Sequence, residues 1–290
     1  MKTNFLMIMV LLSIGLVVAQ PAFQAAIVTN PITGENKNSV SLPPKAVEVA
    51  PNLYYLGEAV DEGRLVEGYA IVHPASRQAK PGSQCGNGVC EAGESANKCP
   101  ADCGGSPTSS CYGFLANGAK WKTLEPYMVD PTNTEGLNDS FVRSNLAADI
   151  AKWEAAAGSN IIGDETNGVV DGADTLSTDG KNEVLFGSVD GNGIAVTIVW
   201  GIFRGPPSGR ELVEWDQIYD QVDFDWGNSG AATKMDFENI ATHELGHSFG
   251  LDDLYTTECF EETMYGYGTE GETKKRTLEA GDIAGIQALY

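Results

Sequence analysis

Histidine is scarce in this chain of 290 residues: there are three, His73, His243 and His247. Basic residues are also few, 18 against 40 acidic ones, and the formal net charge is −22. Phosphate binding relies on patches of Lys and Arg, so nucleic acid and anionic membrane are excluded as main partners. After Val18 no second long apolar run follows, which argues against a stable membrane anchor in the mature chain. No internal repeat is apparent. Hydrophobic content of 42% and aromatic content of 9% suit a globular core, with length for one sizeable domain plus small extras.

Residues 1–19 read as a signal peptide. Lys2 precedes the apolar run Phe5–Val18, and Val17-Val18-Ala19 offers short residues at a cleavage position. A secreted, extracellular protein is expected. Six cysteines agree with that compartment, where disulfides persist. Residues 20–80 form a propeptide-like or accessory β segment. A proline-containing lead-in is followed by expected strands at Val47–Val49, Leu53–Val60 and Arg64–Val72, the last two turned by Asp61-Glu62-Gly63. Residues 81–104 form a Cys-rich module with Cys85, Cys90, Cys99 and Cys103, read as a staple of two disulfides because its spacings fit zinc knuckles poorly. Cys111 and Cys259 remain, and a bridge between them is expected.

From residue 111 to 290 the pattern is that of a mixed α/β (α+β) domain. A strand is expected over Lys122–Val129. Asn138-Asp139-Ser140 can cap a helix that carries Val142, Leu146, Ile150 and Trp153 and closes at Gly158. Val184–Val189 and Ile194–Phe203 flank the turn Asp190–Gly193, and Glu211–Tyr219 alternates as a strand with one wet face. An extended peptide could pair with the edge of the strand at 194–203 or 211–219.

Within this domain His243, Glu244 and His247 stand in HExxH spacing. Residues four apart on a helix share a face, so both imidazoles can reach one zinc ion (Zn2+). Glu244 lies beside the first of them, placed to act as general base toward an activated water. Gly250 can end the helix and return the chain, so that Asp253 offers an oxygen as third ligand. Asp252 breaks this register, and Glu270 and Glu272 lack a helical setting. Drawing His73 in as a ligand would require an improbable long-range approach.

Residues 243–253 resemble the metzincin consensus HExxHxxGxxH with aspartate in the last place. Glu262-Thr263-Met264-Tyr265-Gly266 is similar to the Met-turn of that clan, and Leu278–Tyr290 to the closing helix of matrixins. The resemblance implies a metzincin-like zinc-protease fold, with a twisted mixed sheet, an active-site helix, a Met-turn and a C-terminal helix. It also implies His243, His247 and Asp253 as metal ligands, Glu244 as catalytic base and Met264 as a floor beneath the metal. The function implied is a secreted zinc-dependent endopeptidase acting on protein or peptide substrates. Two other functions fit the same residues: a non-catalytic zinc-containing adhesion or binding module, and an exported zinc amidohydrolase.

Matrixins are held latent by a propeptide cysteine on zinc, and Cys85-Gly86-Asn87 faintly resembles that sequence, although a structural disulfide is expected there instead. The acidic stretches at 164–179 and 190–192 are candidates for calcium (Ca2+), though without EF-hand spacing. No feature reports the oligomeric state. Intact mass and N-terminal sequencing of exported protein should return a chain starting near Gln20; one still carrying residues 1–19 would refute the signal-peptide reading.

Overall fold

The expected hairpin near the start of the chain forms, but it joins a larger sheet. The computed structural model describes residues 38–76 and 111–290. All of them fall in the compact unit Asn36–Tyr290. The signal peptide and the Cys-rich module, with Cys85, Cys90, Cys99 and Cys103, lie outside the described residues.

The strands are β1 (Ser39–Val40), β2 (Val47–Ala50), β3 (Leu53–Asp61), β4 (Arg64–Pro74), β5 (Met128–Asp130), β6 (Glu183–Val189), β7 (Gly193–Ile202) and β8 (Glu211–Asp220). They form one mixed sheet in the order β1-β6-β8-β7-β4-β3-β2, with β5 also against β6. Strands β5, β6 and β8 run parallel, while β7, β4, β3 and β2 alternate antiparallel. A short parallel pair, β9 (Trp226–Gly227) and β10 (Met235–Asp236), leads into the second helix. The helices are α1 (Asp139–Ala157), α2 (Phe237–Ser248) and α3 (Ala280–Leu289). This mixed sheet with few helices is the α/β fold that the resemblance implied.

Local chemistry accounts for the helix limits. Asn138 accepts from the Ser140 N–H at the start of α1, and Gly158 closes it at φ 72°, which costs a residue without Cβ little. Asp236 caps α2 by accepting from the Asn239 N–H at 3.1 Å. One sheet face packs against the helices through Trp153, Phe186, Trp215, Tyr219, Phe237, Leu245 and Phe249. The other face buries Leu56, Val66, Leu185, Ile198, Trp200 and Ile218.

Three expectations change. Of the expected strand 122–129 only Met128 and Val129 are extended in the sheet, within Met128–Asp130; Pro126 lacks the N–H that a ladder needs. Strand β8 has no wet face, because it is central and the 171–180 loop covers Glu214 and Asp216, each about 1% exposed. Nor is β7 or β8 an edge: β8 lies between β6 and β7, and β4 runs along the other side of β7.

Cys111 and Cys259 are joined by a disulfide across 148 residues of sequence. It ties the start of the 111–290 stretch, next to Gly281 of α3, to the loop between Asp253 and Met264. A crosslink closing so long a loop restricts the unfolded chain strongly. Replacing both cysteines by serine should lower unfolding stability by about 2–5 kcal/mol in urea titration; an unchanged midpoint would refute a stabilising role.

Candidate metal centre

Helix α2 carries His243, Glu244 and His247 on its buried side, and all three are fully buried. The polypeptide then reverses at Gly250. Its φ of +103° and the Ala119 carbonyl 2.9 Å from where a Cβ would sit both exclude other residues. The reversal returns Asp253 to the two histidines. His243 Nε2 lies 3.2 Å from His247 Nε2 and 3.2 Å from Asp253 Oδ1, and the third edge, His247 Nε2 to Asp253 Oδ1, is 3.5 Å. Donors at about 2.0–2.1 Å from a tetrahedral zinc are separated by about 3.3 Å. The triangle therefore matches one face of a zinc tetrahedron.

The rings are oriented from behind. His243 Nδ1 donates to the Thr263 carbonyl at 2.7 Å and His247 Nδ1 to the Leu251 carbonyl at 3.0 Å. Those bonds hold the Nδ1–H tautomer and turn both Nε2 lone pairs toward Asp253. Asp253 Oδ2 accepts from the Tyr255 hydroxyl at 2.8 Å, leaving Oδ1 for the centre. Asp252 points elsewhere, accepting from the Asp253 N–H at 2.9 Å. Glu272 accepts from Asn239 at the head of α2, away from the triangle. Met264 is buried beneath the helix, its Sδ so close to Gly246 that a Cβ there would meet it at 2.2 Å.

Electrostatics agree with a cation site. Burial would raise the Asp253 carboxyl, but the two imidazoles hold it well below the usual carboxylate range. Burial would lower His247, yet Asp253 pushes it up to about 9. His243, buried beside His73 and Lys275, falls to about 3. Burial raises the Glu244 carboxyl. Its Oε2 accepts from Thr197 Oγ1 of β7 at 2.6 Å, leaving Oε1 toward the donors.

His73, which the sequence reading kept away from this site, is in it. It lies on β4 opposite Ala195, fully buried, with its ring centroid 4.0 Å from that of His243. Its Nδ1 is 3.1 Å from Glu244 Oε1, and His73, His243 and Glu244 each offer a donor within 4.8 Å of the others. The approach is long-range, as supposed, but pairing of β4 with β7 supplies it. No sequence spacing signals this, nor the roles of Thr197 and Tyr255. The one available hint was His73 itself, the remaining histidine of a chain with three.

Acidic residues of the 164–179 stretch gather elsewhere. Asp171, Asp179 and Glu183 form one group around the Lys181 ammonium, and Asp174, Asp179 and Glu214 form another. Burial and neighbouring carboxylates push Glu214 up to about 8 and Asp174 to about 7. Asp190 instead accepts from Ser41 at 2.6 Å, pinning β1 to the turn after β6.

Comparison with known proteins agrees with this geometry. A family model described as Matrixin matches residues 171–290, which include the three donors, Glu244 and Met264. Over 105 residues the chain is 32% identical to the macrophage metalloelastase of Oryctolagus cuniculus, covering 36% of this chain and 20% of that relative. The aligned part thus spans about a fifth of that relative's length. In its fold and its donor triangle, and by these likenesses, the chain is similar to matrixins over residues 171–290.

Proposed function

We propose that the chain is a secreted zinc endopeptidase in which His243, His247 and Asp253 hold the metal and Glu244 is the general base. The observation that carries this is the donor triangle of 3.2, 3.2 and 3.5 Å with a carboxylate of the same helix beside it. When bound, zinc supplies a Lewis acid that acidifies water and polarises a scissile carbonyl. Glu244 takes the proton of the attacking water on Oε1 and delivers it to the departing amine. Thr197 holds Oε2 throughout, so the carboxylate keeps its aim. Asp253 contributes negative charge where a third imidazole would be neutral, and Tyr255 fixes its orientation. The metalloelastase likeness supports proteins or peptides as substrates, and the signal-like N-terminus supports export.

One observation favours a second reading. His73 forms a second donor group with His243 and Glu244 beside the triangle, a crowding of ligands that suits a structural zinc site of a non-catalytic binding module. A purely structural site has no use for a base, which is why the peptidase is preferred.

We further propose calcium at the Asp174, Asp179 and Glu214 group. The clustered, buried carboxylates repel one another unless a cation or protons intervene.

Three outcomes follow. Purified protein should contain one zinc, and a chelator should abolish casein cleavage by whichever form, intact or proteolytically processed, is active. Glu244→Gln should keep the zinc and lose about 10²–10⁴-fold in kcat; full activity in that variant would refute the mechanism. Millimolar calcium should raise the thermal unfolding midpoint of the wild type and leave that of Glu214→Gln nearly unmoved; equal shifts would place any calcium elsewhere.

A further inference from the structure

Two polar side chains sit where the core is otherwise built of apolar and aromatic groups. Strands β7 and β8 pair Ala195 with Tyr219, Thr197 with Gln217 and Val199 with Trp215, on the side of the sheet that packs against helix α2. Thr197 and Gln217 are both fully buried. Burying a hydroxyl or an amide is costly unless it is hydrogen-bonded, and valine or methionine would fill the same space without that cost.

Both find partners on the same helix. Gln217 Nε2 donates to Ser248 Oγ at 2.9 Å, and Gln217 Oε1 accepts from the Tyr219 hydroxyl at 2.7 Å. Ser248 Oγ in turn donates to the Glu244 carbonyl at 3.4 Å. Thr197 Oγ1 donates to Glu244 Oε2 at 2.6 Å. The strand pair therefore grips α2 at positions 244 and 248, one turn apart on the face toward the sheet. His243 and His247 are likewise one turn apart, about 100° around the helix from that row. A grip on one row fixes the direction of the other. Apolar contacts are non-directional and resist such a rotation poorly, whereas hydrogen bonds are directional.

We propose that Gln217 is a positioning residue of the metal centre: with Thr197 and Ser248 it sets the rotation of α2 about its own axis, and so the aim of His243, Glu244 and His247. The inference rests on the zinc-peptidase reading above and deepens it. A helix is about 10–12 Å wide with its side chains, so a turn of about 10° moves a side-chain tip by about 1 Å. A triangle with edges of 3.2, 3.2 and 3.5 Å is spoiled by a shift of that size. In a catalytic site such a misplacement costs about 10²-fold in rate. Gln217 acts through Ser248 and the helix rather than on the donors directly. Tyr219 holds its amide in one orientation, so the clamp runs from the Tyr219 hydroxyl to the Glu244 carboxylate.

The test uses the full chain with zinc, or cobalt(II) for absorption spectroscopy, comparing wild type with the double variant Gln217→Met, Tyr219→Phe. These changes remove the outer half of the clamp and leave Ser248 its bond to Glu244. No buried group is stranded, so the thermal unfolding midpoint should stay near that of the wild type. Zinc affinity, by competition with a chromophoric chelator, should fall roughly 10–100-fold, the cost of disturbing groups that orient metal ligands. The visible cobalt spectrum should change, and casein cleavage should lose at least about tenfold in kcat with KM nearly unchanged. Thr197→Val should weaken zinc by a smaller factor in the double variant than in the wild type, since both arms act on one rotation. Gln217→Asn, too short to reach Ser248, should reproduce the loss and serves if the Met variant does not fold. A folded double variant with wild-type zinc affinity and cobalt spectrum would overturn the clamp whatever its rate, because both histidines ride on α2. A lowered unfolding midpoint with affinity unchanged would assign Gln217 to packing alone. Equal factors for Thr197→Val in both backgrounds would overturn the shared rotation. A wild type that takes up no zinc would overturn the zinc reading and this inference with it. Zinc bound with casein untouched in every form would overturn the peptidase reading alone, and affinity and spectrum would still decide the clamp.

Discussion

Everything in this molecule depends on holding two imidazole nitrogens and one carboxylate oxygen at the mutual distance a tetrahedral ion demands. Helix geometry supplies the first edge, because positions four apart share a face. The other two edges need a chain reversal, which Gly250 permits and the Ala119 carbonyl enforces. Backbone carbonyls of Thr263 and Leu251 then set the tautomers from outside the triangle. The supports are themselves held. Asp282 accepts from the N–H groups of Thr263 and Met264, and the buried Lys275 ammonium donates to the carbonyls of Thr263 and Tyr265. Helix α3 and the turn over Met264 thus act together to position the rings.

The sheet contributes from the other side. Thr197 of β7 grips the base, so a strand that forms the core also reaches the chemistry. The same strand accepts β4, and that pairing brings His73 to the buried centre. The two faces of the sheet divide the charge: the face toward α2 carries the metal triangle, and the opposite face carries the carboxylates around Glu214 and Asp216. Part of the net charge of −22 is therefore gathered into buried carboxylate groups rather than spread over the surface.

Much of this was legible in the residues. The spacing of His243, Glu244 and His247, the glycine at 250 and the aspartate at 253 identify the centre because each obeys a local rule of helix face or turn. Asn138 and Gly158 mark α1, and Asp236 marks α2, through capping chemistry confined to a few residues. The alternation of Glu214 and Asp216 misled for the converse reason: a period of two shows that residues share a face, not that the face meets water. The 171–180 loop, folding back to donate N–H groups to those carboxylates, buried it.

The sequence by itself determined the candidate donors, the carboxylate proposed as base and the helices that carry them, since these are matters of short-range geometry. Only the tertiary structure decided the fate of His73. It lies 170 residues before His243, so no periodicity connects them; the link is the register of β4 on β7, which places His73 opposite Ala195 on the side facing α2. Register is a property of two strands together, and one residue of slip would have turned that imidazole to the other face. The HExxH stretch alone describes a site, and strand pairing decides what stands beside it.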